Sequence, residues 1–370
     1  MSVFTTKEPD VRTFVARRRA RLIDRLHARG LDGALITDPR DIMYFTGAMP
    51  AAPAPACLFM GPNGHTILVC GDGDAAHHVD ELHSYAWHSG GTISAEMMPL
   101  LVTKAHNVIN VESNRLGIQR DSAAAVLLAT LQPASWMPVD AEIIDLERTK
   151  DALDLAGMVG AIRANLAAYH AVSAAIAPGV SELEVFASGW RGATMHCGHK
   201  VLHDGDYSCG AINGPARDRP IERGELYIVD AWTMRAGYWS DLSRVFPVGD
   251  HPSSLQQELI THATQVHERM LPLLRPGARC AEIWSRMDAI LREHPALRDS
   301  GLTHHGGHGV GIRIHEPPDI NPEVSDTLRA GDVISLEPGA YTPAARAGAR
   351  IENTYLITER GAERLSNDPE

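Results

Sequence analysis

The chain has 370 residues, with 34 Lys and Arg against 46 Asp and Glu and a formal net charge of −12. That length accommodates two domains with sizeable cores, and the acidic balance excludes nucleic acid and anionic membrane surfaces as natural partners. Five cysteines, at 57, 70, 197, 209 and 280, form no CxxC pair, and the odd count points to reduced thiols in a cytoplasm-like compartment.

The start, "MSVFTTKEPDVRTF", has no basic-then-apolar leader, and no apolar run approaches the roughly 20 residues that cross a bilayer, so a soluble, cytoplasmic protein is expected. From Val11 to Gly30 the apolar residues Phe14, Leu22, Ile23 and Leu26 recur near helical spacing. They predict an amphipathic helix with Arg17, Arg18, Arg19, Arg21 and Arg25 on its solvated face, ended by Gly30, and not a nucleic-acid arm. "GALITD" reads as a buried strand and "DIMYFTG" as a short helix or turn. "CLFMG" and "HTILVCG" read as strands joined by the turn-forming "PNG", and "GAMPAAPAPA" as a structural loop. "HNVINVES" and "RLGIQ" fit further strands and "SAAAVLLATLQ" a helix, which makes residues 1–145 an α/β domain. A long helical pattern from Asp145 to Ala177, with Leu153, Met158, Ile162, Leu166 and Val172, leads into a second domain over residues 146–370. Ser181 followed by Glu184 has the spacing of a capping box and predicts a further helix there. Beyond it, strands alternate with one clear helical stretch, "SSLQQELITHATQVHERMLPLL".

The chemistry is concentrated between Glu225 and Glu352. Asp230 sits in "ELYIVDAW", Asp241 in "GYWSDLSRVF", His308 in "HHGGHGVG", Glu337 in "VISLEPG" and Glu352 in "ARIENTYLI". Each acid interrupts an apolar, β-branched run, where an unpaired carboxylate costs several kcal/mol. A hairpin turning about Arg235 and Ala236 would set Asp230 directly opposite Asp241. Such opposed like charges are destabilising until a cation reverses the sign. Glu337 and Glu352 flank the turn-rich "PGAYTPAARAGAR" and are placed to oppose one another in the same way. Four carboxylates and one imidazole suit two divalent ions, Mn²⁺, Co²⁺, Zn²⁺ or Fe²⁺, clamping a bridging water.

The order Asp230, Asp241, His308, Glu337, Glu352, with "GHGVGIRIHEPP", "SLEPGAY" and "RIENTYLIT" around the later members, resembles the M24 "pita-bread" metallohydrolases. The proline-specific members, Xaa-Pro dipeptidase (prolidase) and Xaa-Pro aminopeptidase, and their non-peptidase relative creatinase are the nearest in pattern. A weaker likeness in "GLDGALITDPRDIMYFTG" is to the creatinase-type amino-terminal domain. The resemblance implies an α/β amino-terminal domain followed by an α+β pita-bread catalytic domain. It implies Asp230, Asp241, His308, Glu337 and Glu352 as ligands of two metal ions, and Glu337 as the general acid/base. His304 and His315 match substrate-contacting histidines, whereas His305 has no matching role. Arg350 matches the arginine that orients the acidic ligands. The family's substrate-contacting histidine ahead of the first Asp is replaced here by Asn213, which can donate a hydrogen bond but cannot relay a proton. His203 is a candidate to reach the site from a neighbouring loop. Trp232 shares the face of Asp230 and either packs in the core or narrows the pocket. Arg313 is a candidate clasp for a substrate carboxylate.

The expected activity is metal-dependent cleavage of the peptide bond before proline through a metal-bridging water, in a homodimer acting on a small peptide. The alternative is a creatinase-like hydrolase of a small non-peptide C–N compound. A catalytically silent binding protein has no use for five intact ligands.

Overall fold

The computed structural model describes residues 10–73, 77–87, 94–112, 114–249 and 251–367. Most of the stretch read above as leaderless therefore lies outside the described residues. Two compact units emerge, Met1–Glu147 and Arg148–Glu370.

The first unit runs α1 (Val11–Ala28), β1 (Gly33–Ile36), α2 (Pro39–Thr46), β2 (Cys57–Met60), β3 (Thr66–Gly71), β4 (Glu81–Tyr85), α3 (Ser94–Val108), β5 (Arg115–Ile118), α4 (Ala125–Thr130), β6 (Ser135–Pro138) and α5 (Asp140–Arg148), the last helix reaching the boundary. Its six strands form one mixed sheet in the order β4-β3-β2-β1-β5-β6. The segment "DIMYFTG" is helical because the Asp38 carboxylate caps the Arg40 N–H at 2.9 Å and Gly47 closes the last turn in the left-handed conformation. Two expectations are corrected here. Arg18 is buried, in one line with Val15, Leu22 and Leu26; its guanidinium donates to the Tyr44 carbonyl at 3.0 Å and lies 4.1 Å from the centre of that ring. And "HNVINVES" is not a strand: His106 to Val108 complete α3, whose Leu101 and Ala105, together with Ile109, are buried at a spacing of four.

The second unit starts α6 (Ala152–Ala175) and α7 (Glu182–Cys197). The single helix expected from Asp145 to Ala177 is divided, because Asp151 and Asp154 form a reciprocal capping box at the start of α6. Ser181 and Glu184 cap α7 in the same way. Strands β7 (Leu202–Cys209), β8 (Leu226–Arg235) and β9 (Tyr238–Pro247) form an antiparallel sheet backed by α6 and α7 through Ile162, Val172, Val185, Tyr207, Val229 and Leu242. After α8 (Ser254–Met270) comes α9 (Cys280–Leu291), a helix beyond the one expected; its N-cap, Arg279, makes no capping hydrogen bond that would have announced it. Then β10 (His308–Gly309), β11 (Glu316–Asp319), β12 (Val333–Leu336), β15 (Asn353–Thr358) and β16 (Gly361–Arg364) build a five-stranded sheet ordered β11-β10-β12-β15-β16, and β13 (Gly339–Thr342) pairs with β14 (Ala347–Arg350). Among the described residues no helix is long and apolar enough to cross a membrane.

Candidate metal centre

The first two acids arrive on the β8–β9 hairpin, in a register two residues removed from the expected one. Arg235 pairs with Tyr238, so Asp230 faces Ser243 and Asp241 faces Trp232. The turn is Ala236-Gly237, with φ of 51° and 86°. Positive φ at both central residues is the requirement of a type I′ loop, and Gly237 supplies the one residue that adopts it freely. Asp230 and Asp241 therefore share a face on diagonal positions instead of standing directly opposite. Gly237→Ala is expected to destabilise this hairpin by about 1 kcal/mol or more and to lower Tm by roughly 2–4 °C, and a melt at the parent temperature would refute that account of the turn.

The glutamates oppose one another as expected. Leu336 faces Asn353 at the end of one ladder and Gly339 faces Arg350 at the end of the next. Glu337 and Glu352 occupy the gap between those ladders in the same register. His308 is brought alongside by Gly307 (φ 140°), where any Cβ would lie 2.1 Å from the Ser335 carbonyl oxygen. The backbone N–H of Glu337 donates to the Gly306 carbonyl at 3.1 Å, which ties the two ligand segments together.

The five side chains converge on a cleft of about 340 Å³. Three overlapping triads each bring one ligand atom per residue within 4.8 Å of the others: Asp230, Asp241 and Glu352; His308, Glu337 and Glu352; and Asp241, His308 and His315. Buried Nδ1 of His308 donates to the Gly309 carbonyl at 3.0 Å, which fixes the tautomer and turns Nε2 toward Asp241 and Glu337, 3.7 Å from an oxygen of each. Burial, and then the neighbouring His315, push the His308 pKa down to about 3, so the ring is neutral and ready to ligate. Burial, and then mutual repulsion, push the carboxyls of Asp241, Glu337 and Glu352 well above the usual range; burial raises Asp230 as well, opposed by Arg350. Oδ1 of Asp230 and Oδ1 of Asp241 are both buried without a hydrogen-bond partner among the described residues. Two orphaned oxygens within a ring of acids and a neutral imidazole fit divalent cations, which would remove the electrostatic penalty.

The other expected site residues fall in different places. Arg350 lines the cleft and bonds Asp230 Oδ2 at 2.7 Å, and Asp230 leads the acids that keep it charged against the cost of burial. His304 donates through Nδ1 to the His305 carbonyl at 2.6 Å, leaving Nε2 to accept from the Tyr341 hydroxyl at 3.1 Å. His315 stacks on His308 with ring centres 3.7 Å apart and places Nε2 3.9 Å from Asp241 Oδ2. Asn213 and Trp232 line the cleft. Arg313 is half-buried and outside the set of lining residues. His203 points to the opposite side of β7, where it bonds Thr233 and Tyr207 and stacks on Phe186, so it does not reach the centre. Asp206, His305 and Tyr341 line the cleft in parts that were not anticipated, and Ser335, outside the lining, bonds a ligand. Asp206 faces Asp230 across the β7–β8 ladder; His305, expected to be structural, brings Nδ1 within 3.1 Å of Glu337 Oε1; Tyr341 joins His304 to Arg350; and the Ser335 hydroxyl donates to Glu352 from just beneath.

The segment that carries Asn213 over the cleft is clamped from below. Fully buried Glu182 accepts two bonds from the Arg217 guanidinium, at 2.8 and 2.6 Å, together with the Cys209 and Arg217 N–H groups. The Gly214 carbonyl accepts from the Tyr207 N–H at 3.0 Å and the Ser208 hydroxyl at 2.7 Å.

Comparison with known proteins places this geometry. The model of metallopeptidase family M24 matches residues 156–359, and that of the creatinase/prolidase N-terminal domain matches residues 18–154. The Xaa-Pro dipeptidase of Pyrococcus furiosus is 29% identical over 367 residues, covering 94% of this chain and 97% of the relative. The structure of the prolidase from Pyrococcus horikoshii OT3 superposes with a TM-score of 0.77 at 24% identity, over 96% of this chain and 99% of the other. That of the Xaa-Pro dipeptidase from Bacillus anthracis gives 0.78 at 21% identity, over 96% and 98%. The fold is thus an α/β amino-terminal domain followed by the pita-bread catalytic domain. With the family model spanning more than half of the chain and the acids and imidazole gathered in one cleft, the chain belongs to metallopeptidase family M24 and is a metal-dependent hydrolase of the prolidase-like type.

Proposed function

We propose that this hydrolase holds two divalent ions on Asp230, Asp241, His308, Glu337 and Glu352 and cleaves the peptide bond before proline in small peptides. The observation that carries the reading is the pair of buried, unpartnered Asp oxygens facing Glu337, Glu352 and the neutral His308 in one cleft. When bound, such ions supply an acidified water for attack and positive charge for the developing oxyanion. The remaining steps belong to the chain. Glu337 is the proton carrier, taking the proton of the attacking water and giving it to the leaving nitrogen, a task its carboxylate can perform from its place in the cleft beside the other ligands. Its position is set by the Gly306 carbonyl behind it and the imidazoles of His304 and His305 beside it. His315, its side chain 58% exposed at the open side of the cleft, is the donor to the carbonyl oxygen under attack. His304, with both ring nitrogens engaged, orients Tyr341. Arg350 lies 2.7 Å from Asp230 Oδ2, and Trp232 narrows the cleft beside Asp241. In the same reading residues 1–145 and 146–370 are the two domains, and five cysteines outside any disulfide favour a reducing, cytoplasmic setting.

The small-molecule alternative has less support, since the carboxylate set is intact and the relatives named above are Xaa-Pro dipeptidases. Asn213 provides the test. Asn213→His is expected to add a stronger transition-state donor, worth about 3 kcal/mol or on the order of a hundredfold in kcat, with little change in KM. Both proteins, loaded with Mn²⁺, would be assayed on a panel of Xaa-Pro dipeptides. No cleavage by either one, with the metal content verified, rejects the prolyl-peptidase reading.

A further inference from the structure

We propose that Asp206 is a positioning residue for the metal centre: it takes over Arg350 when Asp230 turns from the guanidinium to a divalent ion. The inference rests on the two-ion reading above and concerns a residue that the reading leaves without a role.

The β7–β8 ladder sets Asp206 directly opposite Asp230, a pairing of like charges that is unfavourable by itself. Arg350 resolves it. A single nitrogen, Nη2, lies 2.7 Å from Asp230 Oδ2 and 3.3 Å from Asp206 Oδ2. That nitrogen carries two N–H groups, enough to serve one carboxylate each. The rest of the guanidinium is held by weaker contacts, 3.4 Å to both the Tyr341 hydroxyl and the Ser243 hydroxyl, so it is free to shift by a small rotation.

Charge balance then decides the matter. Among the described residues that line the cleft, the acids are Asp206, Asp230, Asp241, Glu337 and Glu352. Two dications neutralise the last four. Arg350, buried and permanently charged, would then face two cations without a counter-ion unless Asp206 supplies one. Asp206 is suited to this by position, with its side chain 29% exposed at the edge of the cleft and its Oδ2 within 3.3 Å of the buried guanidinium. Without Asp206 the guanidinium stays on Asp230 and competes with the incoming ion.

Asp204 provides the internal control. It lies on the same face of β7, one row further along opposite Trp232, and its carboxylate accepts from the Gly205 N–H at 2.8 Å without touching Arg350. Calorimetric titration of Mn²⁺ into the metal-free full-length protein is the experiment. Asp206→Asn should weaken binding by about 10–100-fold, the usual cost of losing a partner behind a ligand. Asp204→Asn should match the parent within the error of the measurement. In an Arg350→Gln background, Asp206→Asn should cause no further loss. Equal weakening by Asp204→Asn would assign the effect to general negative charge and overturn the proposal, as would undiminished loss in the Arg350→Gln background or parent affinity in Asp206→Asn itself. If Arg350→Gln fails to fold, the comparison of the two Asp variants decides alone. The number of Mn²⁺ ions bound by the parent tests the two-ion reading separately, since the ranking of the variants is read at whatever stoichiometry the parent shows.

Discussion

Glu337→Gln is expected to lower kcat on an Xaa-Pro dipeptide by about 10²–10⁴-fold, the range for losing a positioned acid/base group. The substitution preserves shape and removes the capacity to accept a proton, together with one negative charge from the ligand set, which is why metal content is measured alongside turnover. Because Glu337 is buried among like charges, Gln there also relieves repulsion, so the metal-free variant should melt at or above the parent temperature. His308→Ala should behave differently. It deletes a neutral nitrogen donor and lowers metal content before it affects chemistry. A Glu337→Gln protein that turns over at the parent rate with normal metal content would sink the acid/base assignment.

Removal of metal should abolish hydrolysis and should also leave a signature in stability against pH. The carboxyls of Asp230, Asp241, Glu337 and Glu352 are raised in the folded protein, chiefly by burial. A group that holds its proton more tightly folded than unfolded contributes stability below its unfolded pKa, and that contribution is lost as the pH climbs toward the folded value. The Tm of chelator-treated protein should therefore fall as the pH is raised from about 4 through neutrality. Adding Mn²⁺ should restore most at the upper end, where no proton has to be displaced. A metal-free Tm that is flat or rising over that range, or a Mn²⁺ increment independent of pH, would contradict the picture of four compressed acids.

The acids of the centre were legible because each breaks an apolar strand, and burial of a charge demands a partner. Their pairing was only half legible. Glu337 and Glu352 follow a register that two long ladders enforce from either side, whereas the register of Asp230 and Asp241 depends on which two residues take positive φ, and Ala236 is a poor advertisement for that conformation. Asp206 was invisible for the opposite reason. It stands in the polar run "LHDGDYSC", which alternates like a solvated edge, and only its partner across the sheet gives it meaning. Arg18 shows the same limit, since a cation in a periodic apolar slot reads as surface until a carbonyl and an aromatic ring are found above it. The long helix across the boundary was misjudged because Asp151 and Asp154 are ordinary helix-surface residues by composition and become a stop and a start only when they cap one another.

The order in which the ligands occur along the chain also governs when the enzyme can first act. Asp230 and Asp241 belong to a hairpin closed by a two-residue turn and can meet early, but Glu352 reaches their neighbourhood only after α8, α9 and most of the second sheet have been made. A ribosome-bound chain that stops short of Glu352 carries two compressed acids without the residue that unites both halves of the cleft. Until Glu352 has been made, two of the three overlapping ligand triads lack a member, so the metal-ligand set is among the last features of the chain to be completed.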